Sequence, residues 1–99
     1  MLNALVNRLD DDDSTVRSLT ADALGKLGQG NEAVLNALME RLADNEWNVR
    51  SRAADALSQL GKQTASVAPQ LAAWLEHHQQ SDDVGNVVDA LWRIVTEQG

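Results

Sequence analysis

Three groups of side chains in this chain have the types and spacing to do chemistry. Asp10–Asp13 is a run of four carboxylates, the raw material of a calcium loop. An EF-hand loop, however, alternates its acids, carries a mid-loop glycine and closes on a distal glutamate; none of these follows. The run stands just ahead of an apolar helical pattern instead, where Asp12, Asp13 or Ser14 caps the helix and negative charge suits its dipole. His77 and His78 are the only imidazoles, and adjacent positions on a helix point about 100° apart, so the pair does not readily share a metal. The third group is Arg17 and Arg50, each preceded by a loop aspartate, Asp11 and Asp44. Arg17 falls beside Ala21 and Leu24 on the shoulder of an apolar stripe. From there a guanidinium reaches an aspartate or a carbonyl across a helix junction. No Ser/His/Asp constellation, P-loop or glycine-rich phosphate loop occurs, and the absence of cysteine removes thiolate nucleophiles, disulfides and Cys-based metal sites. The chain reads as a non-enzyme with no cofactor and no metal.

These groups are positioned by a duplication. A shift of 33 residues lays Leu2–Gly28 on Leu35–Gly61 with 16 of 27 pairs identical. Asp11, Val16, Arg17, Ala21, Asp22, Leu24 and Gly28 fall on Asp44, Val49, Arg50, Ala54, Asp55, Leu57 and Gly61. A repeat of this period signals stacked supersecondary units, a solenoid. Helical spacing predicts six helices near 2–9, 14–28, 32–43, 47–61, 66–79 and 83–97, and no strand. They divide one domain, 1–99, into units of about 1–30, 31–63 and 64–99.

The first helix is short, and Met1 occupies the place that Val34 holds inside a helix, as in a piece of a longer array. The second carries the stripe Val16, Thr20, Ala23 and Leu27, widened by Leu19 and Leu24, and Gly28 and Gly30 end it. Asn31 caps the third, with Val34, Leu35, Leu38, Met39 and Leu42 inward. In the fourth, Val49, Ala53, Ala56, Leu57 and Leu60 face inward, small alanines let helices approach, and Gly61 is the stop. The third unit diverges. Val67, Leu71 and Leu75 keep the step and Pro69 sits harmlessly in a first turn. A longer loop, His77–Asp83, then moves the last helix to a 34-residue step, on which Val84 replaces the arginine and Trp92 aligns with Ser58.

The segments VRSLTADALGKLG and VRSRAADALSQLG resemble HEAT repeats, in particular the short HEAT-like repeats of phycobilisome bilin-lyase subunits. They are also similar to the C-terminal HEAT arrays of bacterial, often cyanobacterial, NACHT-type NTPases. The resemblance implies an all-α, right-handed α-solenoid of about three helical hairpins, first helices convex and second helices concave. It also implies a ladder between repeats formed by Asp11, Arg17, Asp44 and Arg50, stopping at the third unit. The work implied is protein–protein interaction within a larger regulatory or sensor protein. The alternative is a fragment or subunit of a bilin-lyase-type enzyme, for which 99 residues are few.

Composition narrows the partners. Fifteen acids against eight bases give −7, which disfavours phosphate backbones and anionic membranes; no apolar run approaches the ~18 residues of a membrane span. A cytoplasmic protein with a protein or peptide partner, and no nucleic acid or membrane, is expected. Stacked second helices place Leu19, Arg52 and Asn86 in one outward column, then Asp22, Asp55 and Asp89, then Gly25, Ser58 and Trp92. Asp22, Arg52, Asp55, Asp89 and Trp92 thereby become the candidate partner-binding face. Asp22–Lys26, Asp89–Arg93 and Arg52–Asp55 are spaced for local ion pairs. The ends are expected to be open: Leu5, Leu9, Val16 and Leu24 thinly covered at one, and an apolar last helix at the other. Self-association through those ends follows as an expectation.

Overall fold

An apolar stripe must bury itself, and short loops make the next stripe in the chain the nearest surface. The computed structural model, which describes residues 2–27, 31–79 and 84–97, resolves six helices: α1 (Leu2–Arg8), α2 (Ser14–Leu27), α3 (Glu32–Arg41), α4 (Trp47–Gly61), α5 (Val67–His77) and α6 (Val84–Glu97). Each lies within two residues of its predicted range, and no strand occurs among the described residues. Consecutive helices pack as hairpins. The second helices α2, α4 and α6 form one layer, and α1, α3 and α5 the other. Packing between second helices is the more extensive, and the stack measures 33 × 29 × 17 Å.

Local chemistry sets the helix starts. Asp13 Oδ1 accepts from Thr15 N at 2.8 Å, so among the three candidate caps it is Asp13 that receives the first-turn amide of α2. Asn31 Oδ1 accepts from Val34 N at 2.9 Å, capping α3 as expected. Pro69 lies in the first turn of α5. Gly28 and Gly30, expected to end α2, lie outside the described residues. Gly61 is the last residue of α4, as expected, and the chain continues into Lys62 in αR geometry. Its lack of a side chain is needed because a Cβ there would run into Ile94 of α6 and lie 3.3 Å from Val67.

The core is largely leucine. Leu9, Leu24, Leu35, Leu38, Leu42, Leu57, Leu60 and Leu71 are all buried, each contributing about 1.5–3 kcal/mol relative to exposure. Buried hydroxyls bond their own helix: Thr20 Oγ1 donates to Val16 O at 2.6 Å and Ser58 Oγ to Asp55 O at 2.7 Å, which satisfies them without crossing the core. Two inward assignments fail. Leu19 is 62% exposed because it lies in the outward column with Arg52, and Leu27 is 52% exposed because no described helix packs on that side of α2. The expectation that Leu9 and Leu24 are thinly covered is likewise corrected, since both are buried by α3 and α4 neighbours.

Candidate functional site

Arg17 is the fourth residue of α2 and crosses to the loop of the next unit. Its Nε donates to Asp44 Oδ2 at 2.9 Å and its Nη2 to Asp44 Oδ1 at 3.1 Å, a side-on bidentate pair. Nη1 donates to the carbonyls of Asp11 at 2.7 Å and Asp12 at 3.1 Å, and Nη2 also reaches Asn45 Oδ1 at 3.4 Å. All the guanidinium's N–H groups therefore have acceptors. The Arg17 and Asp44 side chains are 10% and 2% exposed, so the pair sits within the junction. Burial alone would push the Asp44 carboxyl up; hydrogen bonds from Arg17 and Glu46 N, with the charges of Arg17 and Arg41, hold it below the ordinary carboxylate range. Hydrogen bonding to Asp44 outweighs desolvation and raises Arg17 further.

Of the four residues expected to form a ladder, Asp11, Arg17, Asp44 and Arg50, it is Arg17 and Asp44 whose side chains meet across the units. Arg50 Nη1 donates to the Asp44 carbonyl at 2.8 Å, as Arg17 does to that of Asp11. Each arginine thus staples its own unit's loop by a carbonyl, while Arg17 reaches the next unit's carboxylate. Each aspartate also folds its own loop. Asp11 Oδ1 accepts from Asp13 N and Asp44 Oδ1 from Glu46 N, both at 2.9 Å, the Asx-turn geometry of short loops. Arg41, absent from the expected ladder, completes it by donating to Asp44 Oδ2 at 3.1 Å. Its signal was available: Arg8 and Arg41 share one repeat position. Between the two loops lies an acidic cleft of about 540 Å³ bordered by Asp10, Asp12, Arg17, Arg41, Asp44 and Glu46. No group of three metal-ligating side chains among the described residues is arranged to hold a metal ion.

The outward face of the second helices is a lattice of ion pairs. Asp22 meets Lys26 at 3.2 Å along α2 and Arg52 of α4 at 3.8 Å. Asp55 meets Arg93 of α6 at 2.7 Å, and Arg93 lies 3.2 Å from Asp89. The expected Arg52–Asp55 pair is replaced by the two pairs that cross between helices, Arg52–Asp22 and Arg93–Asp55, because neighbouring second helices pack closely enough to compete with a partner three residues away. Arg93 was missing from the candidate face. Trp92 belongs elsewhere than expected: its column mates Gly25 and Ser58 are buried in helix junctions, so the column is not an outward one. Trp92 is 66% exposed, with no described helix stacked on that side of α6.

Of the remaining aromatic and imidazole groups, Trp74 and His78 pack together. Trp74 packs between helices at 7% exposure, and His78 stacks on it with ring centroids 4.2 Å apart and planes 9° from parallel. His78 Nδ1 donates to Trp74 O at 2.9 Å, which places a proton on that nitrogen. Trp47, first residue of α4, is exposed.

Hairpins stacked in two layers, with an arginine–aspartate clasp at a repeated position, can be set against known families. The family model for HEAT repeats matches residues 2–92. The chain is a HEAT-repeat protein. No curated protein matches it. HEAT repeats are commonly protein-interaction scaffolds, so protein partners are the expectation for this member as well. No helix among the described residues is long and apolar enough to cross a membrane.

Proposed function

We propose that this HEAT-repeat chain is a non-enzymatic scaffolding module, cytoplasmic and forming part of a larger regulatory or sensor protein of the NACHT-associated kind, with its hairpins wound in a right-handed superhelix. The partner is a protein or peptide segment received on the second-helix layer. The supporting observation is the outward lattice of Asp22, Arg52, Asp55, Arg93 and Asp89, bordered by the exposed ring of Trp92. Exposed ion pairs contribute little to stability and are readily exchanged for a partner's charges, while an exposed tryptophan at their edge supplies the apolar anchor typical of hot spots. No observation favours the bilin-lyase alternative.

The test is a peptide library displayed against the full chain, followed by NMR titration with an enriched peptide. Shifts concentrated on Asp22, Arg52, Asp55, Asp89 and Trp92, and abolished by Trp92→Ala with Asp55→Lys, are expected. Shifts confined to α1, α3 and α5 would overturn the assignment of the face.

A further inference from the structure

The cleft between the Asp11 and Asp44 loops adjoins a second cavity. This one, of about 440 Å³, lies between the C-terminal ends of α3 and α5, and the two share Arg41 and Ala43 as a common wall. Each falls within the ~300–1,000 Å³ usual for ligand sites. The first helices α3 and α5 meet less extensively than the second helices do, which leaves the space between them open. All three units contribute to the combined walls, so the cleft belongs to the body of the stack and not to either end. The first compartment carries five carboxylates, those of Asp10, Asp11, Asp12, Asp44 and Glu46, against the guanidiniums of Arg17 and Arg41, which leaves −3. Both cations are already engaged. Arg17 is clasped by Asp44, and Arg41 lies 3.1 Å from Asp44, 3.8 Å from Asp10 and 3.9 Å from Glu40. The Asp10 and Glu40 side chains stay 79% and 71% exposed, so the mouth of the cleft presents negative charge to solvent.

The second compartment differs in kind. Met39, Ala43, Trp74 and His78 line it, with Glu40 and Arg41 completing the wall. Its apolar side is set in advance of any occupant. Trp74 and His78 are stacked face to face, His78 is tied to the Trp74 carbonyl, and Met39 packs on the core. A wall already held in place spares an occupant the cost of ordering it.

The geometry points to a bipartite docking cleft for a protein segment that carries a basic side chain beside an apolar one, the cation in the acidic compartment and the apolar group against Trp74 and Met39. Neither half specifies this alone. Carboxylates on a chain of charge −7 attract any cation, and an apolar hollow accepts any apolar group. Joined across Arg41 and Ala43, they select a ligand that presents both. The same charge disfavours a second copy, itself −7, as the occupant. The cleft is built from the loops and the ends of the first helices, and the inference is independent of the ion-paired face of α2, α4 and α6 assigned above.

NMR titration of the isotope-labelled full chain tests this, with two capped peptides as probes, Lys-Lys-Gly-Leu-Leu and the reverse sequence, since the cleft accepts either chain direction. At least one is expected to bind, shifting Met39, Ala43, His78 and the Trp74 indole together with Asp12 and Glu46. Replacing both leucines by serine should weaken binding about tenfold or more. Asp12→Asn with Glu46→Gln should weaken it about fivefold. Glu32→Gln, an exposed acid in the first turn of α3 and so at the far end of that helix, should leave it unchanged. Ala43→Arg, at an exposed position between the compartments, should abolish binding, and Glu40→Lys takes its place if circular dichroism shows that Ala43→Arg has lost its fold. The inference is overturned by peptides that leave the spectrum unchanged at millimolar concentration, by a serine peptide that binds as tightly as its leucine parent, or by folded blocking variants that keep full affinity. A loss with Glu32→Gln equal to that of the Asp12 and Glu46 variant would likewise reduce the effect to net charge and overturn it.

Discussion

Asp44→Ala is the sharpest perturbation of the inter-repeat clasp. It removes the carboxylate that accepts from Arg17 Nε and Nη2, from Arg41 Nη1 and from Glu46 N, and leaves a guanidinium whose side chain is 10% exposed. Removing one partner of a buried ion pair costs roughly 3–5 kcal/mol, because the other charge stays buried uncompensated. Arg17 keeps the carbonyls of Asp11 and Asp12, so the low end, about 3 kcal/mol, is expected. For a domain of this size that corresponds to a fall in Tm of about 12–24 °C. Urea unfolding followed by far-UV circular dichroism reads it as a lower midpoint at unchanged slope. The double variant Arg17→Met, Asp44→Leu serves as control. Replacing both charges by apolar groups of similar volume is often neutral, so it should recover most of the loss. A loss under about 1 kcal/mol for Asp44→Ala, or a double variant less stable than the single one, would refute the premise that an unpaired buried charge sets the cost.

Further outcomes follow from the same junctions. Arg50→Ala, which loses the donor to the Asp44 carbonyl, should destabilise by about 1–3 kcal/mol. Arg52→Ala, with a half-exposed side chain 3.8 Å from Asp22, should stay within about 0.5 kcal/mol; equal urea midpoints would count against the distinction. Because Asp44 titrates below its unfolded value, its ionised form stabilises the fold above the ordinary carboxylate range and that contribution is lost as pH falls through the folded value. The stability gap between wild type and Asp44→Asn should therefore be constant at neutral pH and shrink below about pH 4, as acid titration of the unfolding midpoint would record. Gly85→Ala, where an added Cβ meets nothing within 4 Å, should stabilise by up to about 1 kcal/mol through helix propensity, seen as a raised Tm.

The architecture was legible because its signals are periodic and local. A 3.6-residue apolar spacing fixes a helix regardless of neighbours, and a 33-residue duplication states how many times the hairpin occurs. Arg17 and Asp44 were legible as a pair because both copies keep them. What escaped were properties of contacts between units. Leu27 matches Leu60 in sequence, yet one is exposed and the other buried, since burial is set by packing against another unit. Gly61 looks like a helix stop, although its role is set by Ile94, 33 residues downstream. Arg52 has Asp55 within local reach but extends across the junction to Asp22, a preference that only the helix separation decides.

Gly25→Ala brings two of these effects into direct opposition. Gly25 lies inside α2, where alanine is favoured by about 0.8–1.0 kcal/mol over glycine. Against this, the new Cβ would lie 2.7 Å from Ala56 Cα and 2.9 Å from Ala56 Cβ. Neither atom is the end of a flexible side chain. Relief requires α2 and α4 to separate, and that motion loosens the leucines shared by the two hairpins as well as the Arg17–Asp44 clasp. Overpacking of a tight core costs about 1–3 kcal/mol, so the net effect should be destabilising by about 1 kcal/mol despite the better propensity. Combining Gly25→Ala with Ala56→Gly removes the colliding Cβ but not the Cα, so the rescue should be partial. Full rescue, or stabilisation by Gly25→Ala alone, would mean that the backbone approach does not set the spacing of the repeats.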